Sequence, residues 1–149
     1  MILFKKNKMK SFLKELKNLL KEYDAKIVLN IHFIFDTIST IIDICVKAHG
    51  CVSFFTGIDA KEFDDYLKKE IEYNKKKEFL MKLKKLFEKY DVEINSIVRT
   101  DEKQRNLVVE KYLEIVVGNS ECLRTNSSKL DLKEIERLIK KGGRNGKCE

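Results

Sequence analysis

The densest group of chemically competent side chains in this chain is a short run of sulfur and imidazole. Cys45, His49 and Cys51 fall within seven residues, and Cys122 stands at the corresponding turn later in the sequence. Thiolates and a neutral imidazole form a ligand set that zinc accepts. The C-x3-H-x-C spacing matches no zinc knuckle, however, and cysteine is among the most commonly buried residues. A turn flanked by buried thiols is therefore expected, with Cys45, His49, Cys51 and Cys122 the only candidate metal ligands and no cofactor implied. With no C-x-x-C pair and no secretory leader ahead of them, the thiols are expected to be reduced, in a cytoplasm.

Acid–base chemistry has thinner support. His32 lies beside Asn30 on the polar side of an alternating segment, but spacing fixes no Ser, Cys or Asp partner for it. Asp36 and Asp43 complete the list of catalytic candidates. Asp64-Asp65 reads as the solvated face of a helix. Asp24-Lys26, Asp101-Lys103 and Asp131-Lys133 match a D-x-K fragment of nuclease sites without a second placed carboxylate. Gly142-Gly143-Arg144-Asn145-Gly146-Lys147 resembles a phosphate loop only in composition, because such a loop needs a strand before it and a helix after it. Here a helix comes first and residues 143–149 read as a flexible tail.

Lysine is the most organised functional residue. Lys10, Lys14, Lys17 and Lys21 recur at i, i+4, i+7, i+11, and Lys82, Lys85 and Lys89 form a shorter stripe. Residues 1–23 carry seven lysines against two glutamates, and residues 75–91 carry seven against three acids, whereas 59–73 is acidic. Most such stripes are solvated faces of amphipathic helices. Two of them, with a net charge of +7, raise the alternative of polyanion binding.

The elements that position these residues come in two similar sets. FLKELKNLLKEYDAKI at 12–27 and FLMKLKKLFEKYDVEI at 79–94 agree at eight of sixteen positions. Ile58-Asp59-Ala60-Lys61-Glu62-Phe63 matches Leu130-Asp131-Leu132-Lys133-Glu134-Ile135, each a helix start with an Asp cap, a Glu three residues on, and an apolar staple. The intervening segments, 28–57 and 95–129, differ in length by five residues. Within them the periodicity is mostly two: Ala25, Ile27, Leu29, Ile31, Phe33 and Phe35 alternate with Lys26, Asn30 and His32. Val52 and Phe54, Val92 to Val98, and the run Leu107–Val117 also read as strands. Asp101–Asn106 is a hairpin loop. Ile38, Ile41, Ile42, Cys45 and Val46 also fit a helical stripe, but their β-branching favours a strand.

The expected fold is therefore α+β: two tandem αβββα-like units, antiparallel sheet covered by amphipathic helices. The boundaries are 1–74 and 75–142, with αβαβα units as the alternative if 37–48 and 101–117 are helical. The α-β-β-β-α order resembles that of double-stranded RNA-binding domains. Asp59, Glu62, Asp131 and Glu134, though, put acid where those domains put base, and no family is assigned. The helix-into-strand openings also resemble small proteins of phages from AT-rich genomes.

Residues 27–46 are the least charged stretch, yet Asp36 and Asp43 would each cost about 2.5–3.5 kcal/mol at a bilayer centre, so no membrane span is expected. The function these features imply is a small, basic, non-enzymatic accessory protein acting through protein–protein contacts, with no convincing catalytic cluster, and encoded by a phage or mobile element. A nucleic-acid binder using the two basic helices is the alternative, and an enzyme with His32, Asp36 and Asp43 the third reading.

Overall fold

The computed structural model describes residues 8–34, 37–55, 57–70, 72–101, 103, 108–118, 120–125 and 127–141. Phe35, Asp36, Gln104 to Leu107 and the glycine-rich stretch 142–149 lie outside them.

Helix α1 (Lys8–Tyr23) buries Met9, Phe12, Leu13, Leu16, Leu19, Leu20 and Tyr23, a stripe that returns every three or four residues. It stops at Asp24, whose φ of 50° is left-handed, and helix α3 (Lys75–Tyr90) stops in the same way at Asp91, with φ 52°. Aspartate tolerates this region because its short polar side chain bonds locally. Each stop is tied down alike. The Asp24 carbonyl accepts from Lys47 N–H at 3.1 Å, and the Asp91 carbonyl accepts from Gly118 N–H at 2.8 Å.

Both proposed helix starts are real. Asp59 accepts from Glu62 N–H at 2.9 Å to open α2 (Ala60–Lys69), and Asp131 accepts from Glu134 N–H at 2.9 Å to open α4 (Leu132–Lys140). In α4 the glutamate does not reach back to complete a box; it grips Arg137 through two bonds of 2.8 and 2.7 Å. Asn74 caps α3, accepting from Lys77 N–H at 2.9 Å, so residues 59–90 do split into two helices.

The segments between α1 and α2 and between α3 and α4 are built of strands. After α1 come β1 (Ala25–Ile34), β2 (Thr37–Val46), β3 (Gly50–Phe55) and β4 (Gly57–Asp59). After α3 come β5 (Val92–Thr100), β6 (Val108–Val117), β7 (Glu121–Arg124) and β8 (Lys129–Leu130). The ambiguous segment 37–46 is a strand because Ile42, Ile44 and Val46 alternate into the core, a burial pattern with period two rather than 3.6. The fold is α+β, with two antiparallel four-stranded sheets.

The sheet orders add what the periodicity did not show. One sheet runs β3-β2-β1-β8 and the other β4-β5-β6-β7. The chain thus leaves the first sheet after β3 to lay β4 on β5, pairing Ile58 with Ile94. Later it leaves the second sheet after β7 to lay β8 on β1, pairing Leu130 with Ile27. Each set of three strands is completed by a short fourth strand from the other half of the chain, and this departs from the αβββα pattern. Gly57 allows the first crossing: a Cβ there would stand 2.7 Å from Asn95 Oδ1 and 3.2 Å from the Ile94 carbonyl oxygen.

The helices form a row, α2 against α3, α3 against α1, and α1 against α4. Buried residues from both halves make one contiguous core, including Phe12, Phe63 and Phe87 from the helices and Ile27, Ile44, Ile94 and Ile115 from the sheets. Among the described residues no helix is long and apolar enough to cross a membrane.

Candidate functional site

The two lysine-rich helices are neighbours. Five lysines lie on α1 and seven on α3, against two glutamates on each. The helices run antiparallel, because Glu22 near the end of α1 meets Lys82 at 2.8 Å while Glu15 near its middle meets Lys89, further along α3, at 3.0 Å. Aromatic rings close the seam beneath: Phe12 against Phe87 and Tyr90 at 5.7 and 6.0 Å, Tyr23 against Phe79 at 5.4 Å. Lys82 and Lys89 lie over the Tyr23 and Tyr90 rings, at 5.0 and 5.2 Å from their centroids.

Electrostatics lock this seam in its charged form. The Glu15 carboxyl is held below its ordinary range by the hydrogen bond from Tyr90, then by Lys89. Glu22 is lowered by its hydrogen bond from Lys82, whose own pKa is pushed up by Glu22 and Tyr23. Lys89 is raised by Glu15. Tyr23 donates to Glu78 at 2.7 Å, and burial raises the phenol.

The two lysine stripes are not equivalent, contrary to the simple reading of their spacing. Aligning Tyr23 with Tyr90 sets Lys82 and Lys89 opposite Glu15 and Glu22, not opposite lysines. Lys82 and Lys89 face the α1–α3 seam, whereas Lys17 faces α4 and pairs with Glu136 at 3.4 Å. Lys10, Lys14, Lys21 and Lys85 are exposed, and among the described residues no carboxylate pairs with them.

Two grooves cross this face. One, of about 280 Å³, is lined by Leu19 and Leu86 with Glu15, Lys82, Lys85 and Lys89 around them. The other, of about 340 Å³ between α2 and α3, holds Leu67 and the 41% exposed Met81, with Lys68, Lys77, Lys84 and Lys85 and the carboxylates Asp64 and Glu88 around them. Asp64 takes both Lys84, at 2.9 Å, and Lys68, at 3.2 Å, which is where one of the notable aspartates is used.

The proposed metal ligands are placed differently. Cys45 and Cys51 are register partners on β2 and β3 and are joined in a disulfide, with an S–S distance of 2.07 Å, so the expectation of reduced thiols is overturned for this pair. The alternation that buries Ile44, Val46 and Val52 sends both sulfurs to the outer face, where they meet. His49 is exposed in the turn between them. Cys122 sits on β7 of the other sheet and is itself disulfide-bonded. Among the described residues no three His, Cys, Asp or Glu side chains gather around a common point.

Of the catalytic candidates, Asp36 lies outside the described residues, and no described contact joins His32 to Asp43. His32 is exposed on β1, opposite Ser39 in register. Asp43 accepts hydrogen bonds from Asn30 and Ser53 across three strands, so its carboxylate ties the sheet together. Each D-x-K aspartate has a local backbone role: Asp24 ends α1, Asp101 accepts from Lys103 N–H at 2.9 Å, and Asp131 caps α4.

One polar residue escaped notice in the sequence. Glu121 is 5% exposed; its Oε2 accepts from Met9 N–H at 2.6 Å in the first turn of α1, and its Oε1 has no hydrogen-bond partner among the described residues. Nothing in its local sequence announces a carboxylate serving a helix 112 residues away. Searches against protein families, characterised proteins and solved structures find no match to this chain.

Proposed function

We propose that this chain is a non-enzymatic binding protein acting through protein–protein contacts, and that its contact surface is the outer face of the helix row. The observation that carries this reading is the pair of grooves that set leucine or methionine among lysines. Apolar and basic side chains together suit a partner segment that offers apolar side chains flanked by carboxylates. Because Lys82 and Lys89 are already matched by Glu22 and Glu15, the contact rests mainly on the apolar residues of the grooves, with Lys85, which lines both, left to meet a partner carboxylate.

A nucleic-acid reading retains one supporting observation, the four unpaired lysines Lys10, Lys14, Lys21 and Lys85. Salt titration separates the two. Fluorescence anisotropy is measured with an acidic amphipathic peptide, duplex RNA, duplex DNA and single strands, in wild type and in a variant carrying Lys14→Glu and Lys85→Glu. The protein-contact reading expects the amphipathic peptide to bind better than an equally charged peptide without apolar residues, and expects the variant to lose that binding. Nucleic-acid binding through all four lysines would instead give a log–log salt slope of about −3.6 on duplex DNA. Equal binding of both peptides, or none, overturns the proposal.

A further inference from the structure

We propose that the Cys45–Cys51 disulfide is an exchange site for small anionic thiols, seated in a lysine-rimmed cleft at one end of the first sheet. The cleft is about 580 Å³ and both cysteines line it. Cys51, on the edge strand β3, is exposed and Cys45, on the inner strand β2, is half-buried, so Cys51 is the more accessible of the two. Across the strands, Lys26, Cys45 and Cys51 occupy successive positions of a single row. The first turn of α4 closes the cleft from the other side with Asp131 and Lys133.

The charge balance of this cleft favours an anion. Of its two aspartates, Asp24 is matched by Lys47 at 3.6 Å, and Asp131 by Lys129 at 3.7 Å while it caps α4. Lys26 and Lys133 have no carboxylate partner among the described residues. Positive charge beside a cysteine stabilises its thiolate and makes it a better leaving group.

The geometry assigns the two sulfurs different roles. An incoming thiolate attacks the exposed Cys51 sulfur and forms a mixed disulfide. The Cys45–Cys51 bond breaks, and its electron pair leaves on Cys45 as a thiolate beside Lys26. A second thiolate attacks the small-molecule sulfur of the mixed disulfide. This releases the Cys51 thiolate and one symmetrical small disulfide. Two thiols are oxidised, one protein disulfide is reduced, and the two thiol protons end on the cysteines or in solvent according to pH.

Opening the bond leaves the fold in place. Both sulfurs lie on the outer face, away from the buried Ile44, Val46 and Val52, and six register pairs hold β2 to β3. A disulfide that exchanges in this way is the kind that persists in a thiol-rich compartment only transiently.

The test uses the full-length chain with millimolar reduced glutathione as the anionic probe and cysteamine as the cationic one. Reactions are quenched with acid, free thiols are alkylated, and each cysteine is read by peptide mass mapping. Rates are compared per thiolate. The expected result is opening of Cys45–Cys51 without loss of the far-ultraviolet circular dichroism, and the mixed disulfide on Cys51. Glutathione should lead cysteamine by about fivefold or more at low salt, a lead that shrinks as salt screens it. Replacing Lys26 and Lys133 by glutamate should reverse the preference. A bond that opens only in denaturant, adducts on Cys45 instead of Cys51, or equal rates for the two probes in wild type would each overturn the proposal.

Discussion

Leu130 lies near the end of the described chain, yet its side chain is fully buried in β8 opposite Ile27, in the sheet built by the first half. Replacing it with alanine removes a buried isobutyl group from a site hemmed by both halves. Such truncations cost about 2–5 kcal/mol, and about 3 is a fair expectation where neighbours from two layers limit collapse. For a chain of 149 residues this lowers the midpoint of thermal unfolding by roughly 6–12 °C. The location of the damage is the sharper observable. β8 contributes only two register pairs and one further bond, from Leu29 N–H to the Ser128 carbonyl at 2.6 Å. Weakening its anchor by about 3 kcal/mol should speed hydrogen exchange at Leu29 by up to roughly a hundredfold where exchange follows local opening. Ile58→Ala, the reciprocal change, should act first on β5 around Ile94. Residue-resolved exchange by NMR checks both. Should Leu130→Ala loosen β5 to β7 first and spare Leu29, or cost less than about 1 kcal/mol in a urea melt, the strand-exchange account would be wrong.

Two further expectations concern the helix ends and α2. Asp59→Ala and Asp131→Ala each remove a cap oxygen 2.9 Å from a backbone N–H, and each should cost about 1 kcal/mol in chemical denaturation; a change indistinguishable from zero would deny the caps their role. Tyr66 is pushed up to about 12 by burial and then by its hydrogen bond to Glu70, from an ordinary value of 10.0. A folded-state value above the unfolded one means the contribution is complete below pH 10.0 and is lost as pH rises through about 12. Urea melts across that window should therefore show wild type losing more stability than Tyr66→Phe, and parallel curves would count against the buried phenol.

The helices were legible from partial signals: α1 and α3 from an apolar stripe and a Tyr-Asp stop, α2 and α4 from an Asp cap followed by an apolar staple. Asp59 and Asp131 sit where the cap pattern put them, and the β-branched run at 37–46 follows burial with period two. Pairing across the chain was not legible. β4 and β8 are three and two residues long, too short for periodicity, and their partners Ile94 and Ile27 are named by tertiary contact alone. The lysine stripes were visible as spacing, but Glu15 and Glu22 became their partners only once α1 and α3 lay antiparallel. The disulfide was hidden for a related reason. A C-x5-C interval carries no signal until a hairpin turn brings Cys45 and Cys51 into register.

The exchanged strands also set an order on the chain's biogenesis. Leu130 follows its partner Ile27 by 103 positions, so the outer edge of β1 stays open until residues 129–130 have left the ribosome. β4 emerges early and waits for β5 before it has a ladder to join. Long-range pairing of this kind slows folding, since loop-closure entropy is lost before the contacts that offset it can form. An unpaired edge during that wait is a template for another nascent chain. Emergence of residues 129–130 is thus the event that seals the first sheet, and a polypeptide ending before them would leave that edge exposed.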